Sequence, residues 1–364
     1  MNTTKASKKK WIWFIASIIL ILLIAGCSYA AFLYNKTSNM VEESHEETGR
    51  VNEQSAMREE IVDPVEDNVS ILFLGIDTSE EREYEEKSRT DALLVATFNK
   101  DKGTVKLLSI PRDTYVYVPE IGYNTKINHA HFHGGPKATM ETVENLLNIP
   151  IDYYVRLNFE AFIDVVNSLD GINYNVPYEI VEMDSKDKEG AIHLYPGYQK
   201  LSGEEALAIV RTRKYDSDVE RGKRQQEVIT SLVNQVTSAS SLFKLSELID
   251  AVGSNMNTNL SFNKMKSFFA YGIDKDFDIE KVNLNGDGGY MDDGLWYFHA
   301  YEDSLMEVRR DLQKHLDIPV YSSGDEDSGK IHDEEENAEK DSLNGTWNDD
   351  YNMRKNEPYI EEAT

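Results

Sequence analysis

The longest apolar feature of the chain is a run of 24 residues, from Trp11 to Tyr34, that contains no charge. As a helix it would reach about 36 Å, enough to cross a hydrocarbon core of about 30 Å. Trp11, Trp13, Tyr29 and Tyr34 lie toward its two ends, where amphipathic rings favour the headgroup level. Further on, the apolar positions regroup into shorter units. Ser70–Ile76, Ala92–Phe98 and Val105–Ile110 read as strands, the last two joined by the hairpin turn Asn99-Lys100-Asp101-Lys102-Gly103. The continuous apolarity of the first two predicts central strands covered on both faces. Gly134-Gly135-Pro136 opens a helix whose stripe is Met140, Val143, Leu146 and Leu147. Tyr153–Leu157 reads as a strand, Phe159–Ser168 as a helix, and Gly171 begins another strand. Gly203–Arg211, Glu220–Val236, Leu242–Val252 and Phe262–Ala270 carry helical patterns. Strands alternating with helices predict an α/β domain around a covered sheet.

The flanks set the expected organisation. Lys5, Lys8, Lys9 and Lys10 precede the charge-free run and only Lys36 follows closely, so residues 1–10 are expected in the cytoplasm and 11–34 as a single-pass signal anchor. Ile24-Ala25-Gly26-Cys27 also resembles a lipobox, but apolar residues continue past Cys27, which favours an uncleaved anchor. Residues 35–67 are expected to be a polar spacer and 68–320 the extracellular domain. Residues 321–364 carry 14 Asp and Glu against 4 Lys and Arg, a composition expected to stay disordered.

Composition narrows the partners. A net charge of -27 argues against nucleic acid, because such a surface repels a polyanion. One cysteine excludes an intramolecular disulfide. Against this acidic background the placement of the arginines stands out. Asp77 follows the first strand, Arg89-Thr90-Asp91 precedes the second, and Pro111-Arg112-Asp113-Thr114 follows the third, with Lys126 and Asn128 soon after. Arg211 and Arg213 follow a helical pattern, and Asp218, Arg221 and Gln225 share one helix face, with Arg224 and Gln226 close by. Any one arginine has a ready structural explanation among 65 acidic residues. Several together, at element ends and beside carboxylates, suit a multiply charged anion. The guanidinium fork matches phosphate oxygens in pairs, and paired carboxylates can hold Mg²⁺ (or Mn²⁺) beside them.

The ordered motifs strand-GID, RTDALLV, LLSIPRDTYV, KINHA, GGP-helix-IPIDYYVRLNFEAF, LSGEEALAIVRTR and DxxRxxRQQ resemble the LytR-CpsA-Psr family of cell-wall polymer ligases over roughly residues 68–235. That resemblance implies an α-β-α layered domain with a central mixed sheet and a groove for a polyprenyl-pyrophosphate lipid. It implies transfer of a glycopolymer phosphate, such as wall teichoic acid, to a sugar hydroxyl of peptidoglycan. By the same resemblance Asp77 and Asp91 correspond to metal-associated carboxylates. Arg89, Arg112, Arg211, Arg213, Arg221 and Gln225 correspond to the pyrophosphate cradle, with Asp113, Lys126 and Asn128 as accessory residues. Asp91 and Arg112 are the expected catalytic pair, Asp91 as base.

His129, His131 and His133 alternate, which on an extended strand would align three imidazoles for Zn²⁺; packing or contact with the anionic substrate is the expected role. Two other activities fit the same residues. One is hydrolysis of the lipid pyrophosphate; the other is a membrane-bound regulator of transcription, which outward topology argues against.

Overall fold

The computed structural model describes residues 24, 27–76, 88–213, 217–236, 247–248, 250–251, 255–265, 268 and 278–319. Most of the expected span 11–34, the tail 321–364, and Asp77 lie outside the described residues, as do most of the two later helical patterns. Among the described residues no helix is long and apolar enough to cross a membrane. Residues 27–44 form a helix, α1, in which Cys27 is exposed.

The main sheet has six strands in the order β11-β6-β1-β2-β3-β12. Its centre is β1 (Val69–Ile76), β2 (Thr90–Asn99) and β3 (Thr104–Ile110), an antiparallel meander. β6 (Tyr153–Asn158) adds parallel to β1, and β12 (Asp278–Asn283) adds parallel to β3. The short β11 (Met256–Thr258) closes the far edge antiparallel to β6. The sheet is therefore mixed, and the two strands expected at its centre are there.

Both faces are covered. Leu72, Leu74, Leu93, Val95, Leu108 and Ile110 point to one side. There they meet Met140, Val143 and Leu147 of α2 (His129–Leu147) and Leu305, Val308 and Leu312 of the last helix, α6 (Glu302–His315). The alternate residues Leu94, Ala96, Val105 and Leu107 face the other side and Ile229 of α5 (Asp218–Val236). Each side chain so buried contributes about 1.5–3 kcal/mol. A satellite core forms where α3 (Phe159–Ser168), α4 (Gly203–Arg211) and α5 enclose β7 (Ile172–Val176) and β10 (Gly197–Leu201). Asn158 caps α3 by accepting from Ala161, and Ser202 with Glu205 forms a reciprocal capping box on α4. α6 is sewn to the β2–β3 hairpin by His315: its ring meets the hydroxyls of Thr97 and Thr104, each at 2.8 Å, and its carbonyl accepts from Asn99 at 2.6 Å.

Two expectations need correction. Residues 45–67 do not hang as a spacer; polar bonds strap them along the domain. Glu46 donates its N–H to Thr258, accepts from Arg156 at 2.9 Å, and offers its carbonyl to Tyr154. Arg50 pairs with buried Glu144 at 3.0 Å and donates to the Ile151 carbonyl. Arg58 grips Asp152 through Nε at 2.9 Å and Nη2 at 2.8 Å, and Asp152 also accepts from the Ser70 N–H. The three histidines are also not on a strand. They occupy a first helical turn of α2, and the helix restarts at Pro136 after a break at Gly134 and Gly135. Gly135 has φ 59°, ψ -150°, a conformation that strains any residue with a Cβ.

Candidate active site

The polar residues of interest gather where the central strands end. Pro111 follows β3, and the Thr114 N–H and hydroxyl both return to the Pro111 carbonyl, at 3.0 and 2.6 Å. This tight turn presents Arg112 and Asp113. A hairpin of β4 (Tyr115–Val118) and β5 (Tyr123–Lys126) then brings the chain back. Ile127 and Asn128 dock on the turn through N–H bonds to the carbonyls of Thr114 and Arg112.

Charge converges there in excess. Buried Asp113 faces Lys126 Nζ at 2.9 Å, Arg112 Nε at 3.6 Å and Arg213 Nη1 at 3.9 Å. Arg112 also forms a close ion pair with Asp91, and both side chains are 28% exposed, within reach of a ligand. Among the described residues the second oxygen of Asp91 meets no partner, so that oxygen could serve as a metal ligand. No three His, Cys, Asp or Glu side chains among the described residues form a metal cage on their own. Arg89 lies with its guanidinium 5.9 Å from the Phe132 ring. His129 accepts or donates one bond with Thr125 at 2.8 Å. Its pKa is pushed down to about 4, first by burial and then by the cations Arg89 and Lys126, while Asp113 opposes them. The imidazole is thus kept neutral by burial first, with the neighbouring cations adding to it.

The second wall comes from α4 and α5. Arg211 ends α4, stacks on Phe159 at 4.8 Å, and approaches the Asp184 carbonyl at 3.5 Å. Arg213 follows it and is 38% exposed at its side chain. Arg221 and Gln225 are buried on α5. Gln225 accepts from the Ser109 hydroxyl at 3.0 Å and donates to the Val210 carbonyl at 3.3 Å, so it braces α5 against β3 and α4. The helix comes this close because residue 222 is glycine: a Cβ there would lie 2.9 Å from Ser109 Oγ and 3.1 Å from its Cβ. Arg224 is committed elsewhere, with Nε to the Ile209 carbonyl, Nη2 to the Thr212 carbonyl and Nη1 to the Tyr178 hydroxyl. It seals the C-terminal carbonyls of α4.

Ion pairs therefore unite Asp91, Arg112, Asp113, Lys126 and Arg213, and Arg89 lies against the first turn of α2 through Phe132. Arg211 points along the α4 wall, and the buried Asn128 Oδ1 lacks a partner. The supporting roles of Phe132 and Phe159 escaped the sequence reading, because aromatic residues beside arginines carry no spacing signal.

His131 is fully buried at 0% exposure, and its Nδ1 lies 2.8 Å from the Ser88 carbonyl. A carbonyl only accepts, so Nδ1 carries the proton and Nε2 is left bare. Among the described residues that buried Nε2 meets no hydrogen-bond partner. One such bond yields about 0.5–1.5 kcal/mol net, whereas an unsatisfied buried polar atom costs about 1–3 kcal/mol. Burial lowers the pKa of this ring to about 4.

Comparison with known proteins agrees with the motifs. The family model described as LytR_cpsA_psr family matches residues 30–314. The chain is 40% identical over 316 residues to the polyisoprenyl-teichoic acid–peptidoglycan teichoic acid transferase TagT of Bacillus subtilis, covering 86% of this chain and 97% of that one. It is also 40% identical over 318 residues to an uncharacterized protein of Staphylococcus aureus, covering 86% and 78% of the two chains. Among solved structures, TagT bound to LIIa-WTA is similar at 39% identity with a TM-score of 0.63, over 73% of this chain and 97% of that one. TagT with bound octaprenyl pyrophosphate lipid is similar at 37% identity with a TM-score of 0.59, over the same shares. The chain belongs to the LytR-CpsA-Psr family.

Proposed function

We propose that this protein is a glycopolymer phosphotransferase, which moves an anionic polymer such as wall teichoic acid from a polyprenyl-pyrophosphate lipid to a sugar hydroxyl of peptidoglycan. The observation that carries the reading is the local surplus of cations in a chain of net charge -27. Arg112, Lys126 and Arg213 surround one buried carboxylate, and Arg89 acts with Lys126 on the neighbouring His129. Such a surplus is costly unless a polyanion fills it. The names of the relatives supply the chemistry: transferases of polyisoprenyl-linked teichoic acid, and one structure holding a prenyl pyrophosphate.

In this mechanism the arginines hold the pyrophosphate and neutralise charge at the transferred phosphorus, which is most of what phosphoryl transfer requires. The acceptor hydroxyl attacks the phosphorus that bears the polymer. Its proton passes to the Asp91 carboxylate, and the bond to the departing polyprenyl phosphate breaks. Arg112, paired with Asp91, keeps that carboxylate oriented and faces the same phosphate. Mg²⁺ or Mn²⁺, when bound, would supply further charge neutralisation; Asp91 and Asp77 are the residues proposed to hold it. The charge-free run 11–34 behind four lysines supports a single-pass anchor with the domain outside the cell.

The test is transfer by the purified full chain from a labelled lipid-linked donor to peptidoglycan oligomers. Label on the glycan is the expected result. Label released free in water would establish a hydrolase instead, and an untouched donor would remove the enzymatic reading.

A further inference from the structure

We infer that His131 is a positioning residue, holding the Arg89–Asp91 segment in register through the Ser88 carbonyl. The inference rests on the phosphotransferase reading of Arg89 and Asp91. Ser88 immediately precedes Arg89 and β2. Its carbonyl belongs to the same peptide plane as the Arg89 N–H, and fixing one fixes the other. His131 grips that plane at 2.8 Å. The neighbouring residue on the same helical turn, Phe132, lies under the Arg89 guanidinium at 5.9 Å. One turn of α2 therefore holds Arg89 at both its backbone and its charged end. Two residues further, Asp91 pairs with Arg112.

The bare, buried Nε2 separates this role from packing. A residue kept for the core would not leave a lone pair unsatisfied there. A residue kept for a single N–H, aimed at one carbonyl, would. Only the Nδ1–H tautomer makes the bond.

Three variants of the full chain and one measurement on the wild type test the inference. His131→Leu fills the space without the N–H. It should lower stability by no more than the loss of one buried hydrogen bond, while kcat/KM for a synthetic polyprenyl-pyrophosphate-linked disaccharide falls about tenfold or more, well beyond the change in folded fraction. His131→Asn restores an N–H donor and should recover activity to within about threefold of wild type. Wild-type kcat/KM in the leucine variant would overturn the inference, as would activity that falls only in step with the melting temperature. Nitrogen-15 shifts of the wild-type ring should report Nδ1–H; an Nε2–H ring would also overturn it, whether or not the variants fold. Asp91→Asn tests the underlying reading separately. Should that variant keep full transfer, the role given to Asp91 falls irrespective of what His131 does.

Discussion

Two sets of arginines lie on this domain, and they are built in opposite ways. In the strap over residues 45–68, each arginine meets one carboxylate and the account closes: Arg50 with Glu144, Arg58 with Asp152, Arg156 with Glu46. Arg50 and Arg58 also reach the backbone carbonyls of Ile151 and Asn68, and Asp152 accepts from the Ser70 N–H. At the ends of β2 and β3 the ratio is inverted. Arg112 is shared between two carboxylates, while Asp113 answers to three cations with distances stretching to 3.9 Å. The first arrangement pairs each charge once within the protein. The second is arranged around charge that the protein does not contain. Arginine content alone would not distinguish them; stoichiometry and reach do.

The contrast can be broken at each end. Arg112→Ala should lower transfer about 10³-fold, the scale for losing a cation that stabilises a transferring phosphoryl group, with the melting temperature nearly unchanged. Labelled-polymer transfer and a thermal scan on the same preparation check both halves. Arg58→Ala should do the reverse. Removing the partner of buried Asp152 should lower the unfolding free energy by about 3 kcal/mol, read by denaturant titration, while activity per folded molecule persists.

A smaller effect follows from acid. His131 in the folded chain titrates at about 4, depressed from 6.5 by burial. The unfolded chain therefore binds that proton first, so its contribution is intact above about pH 6.5 and declines as the pH falls toward 4. At pH 6 the loss is about 1 kcal/mol from His131. His315, also lowered to about 4, acts in the same direction. A denaturant midpoint that stayed flat from pH 7 to 5 would contradict both. Least of all should come from Lys223→Ala, which removes an exposed pair with Glu220. It should move stability by no more than about 0.5 kcal/mol and leave transfer alone, which marks the noise level for the comparison.

Much of this was legible in the sequence where periodicity and burial coincide. β1, β2 and α3 sit within two residues of their expected bounds because each is apolar on its buried positions and bounded by clear turn or cap residues. β12 was not legible. Asp278-Ile279-Glu280-Lys281-Val282-Asn283 is half charged, and it joins the sheet as an edge strand beside β3, far away in sequence. The histidine turn was misread because alternation of His129, His131 and His133 matches a strand period, whereas a single helical turn buries only the middle ring completely. The strap was missed for a related reason: its hold on the domain comes from polar bonds to partners about 90 to 210 residues downstream, which no local pattern encodes. The positions of Asp91, Arg112, Asp113, Lys126 and Arg213 were legible as motifs, but their convergence on Asp113 was not.

Gly222 adds a consequence of a different kind. Glycine and alanine codons differ by one base, so this contact is one point mutation from being crowded. The added methyl would meet Ser109 at the hydroxyl that Gln225 accepts from, and the helix bearing Arg221 would have to move off β3 or give up that bond. Because the crowding falls at one end of α5 and meets only the side chain of Ser109, a cell carrying such an allele should still make a folded protein. It would be detected by antibody at normal abundance and fail in the wall, a genotype that expression screening alone would pass as healthy.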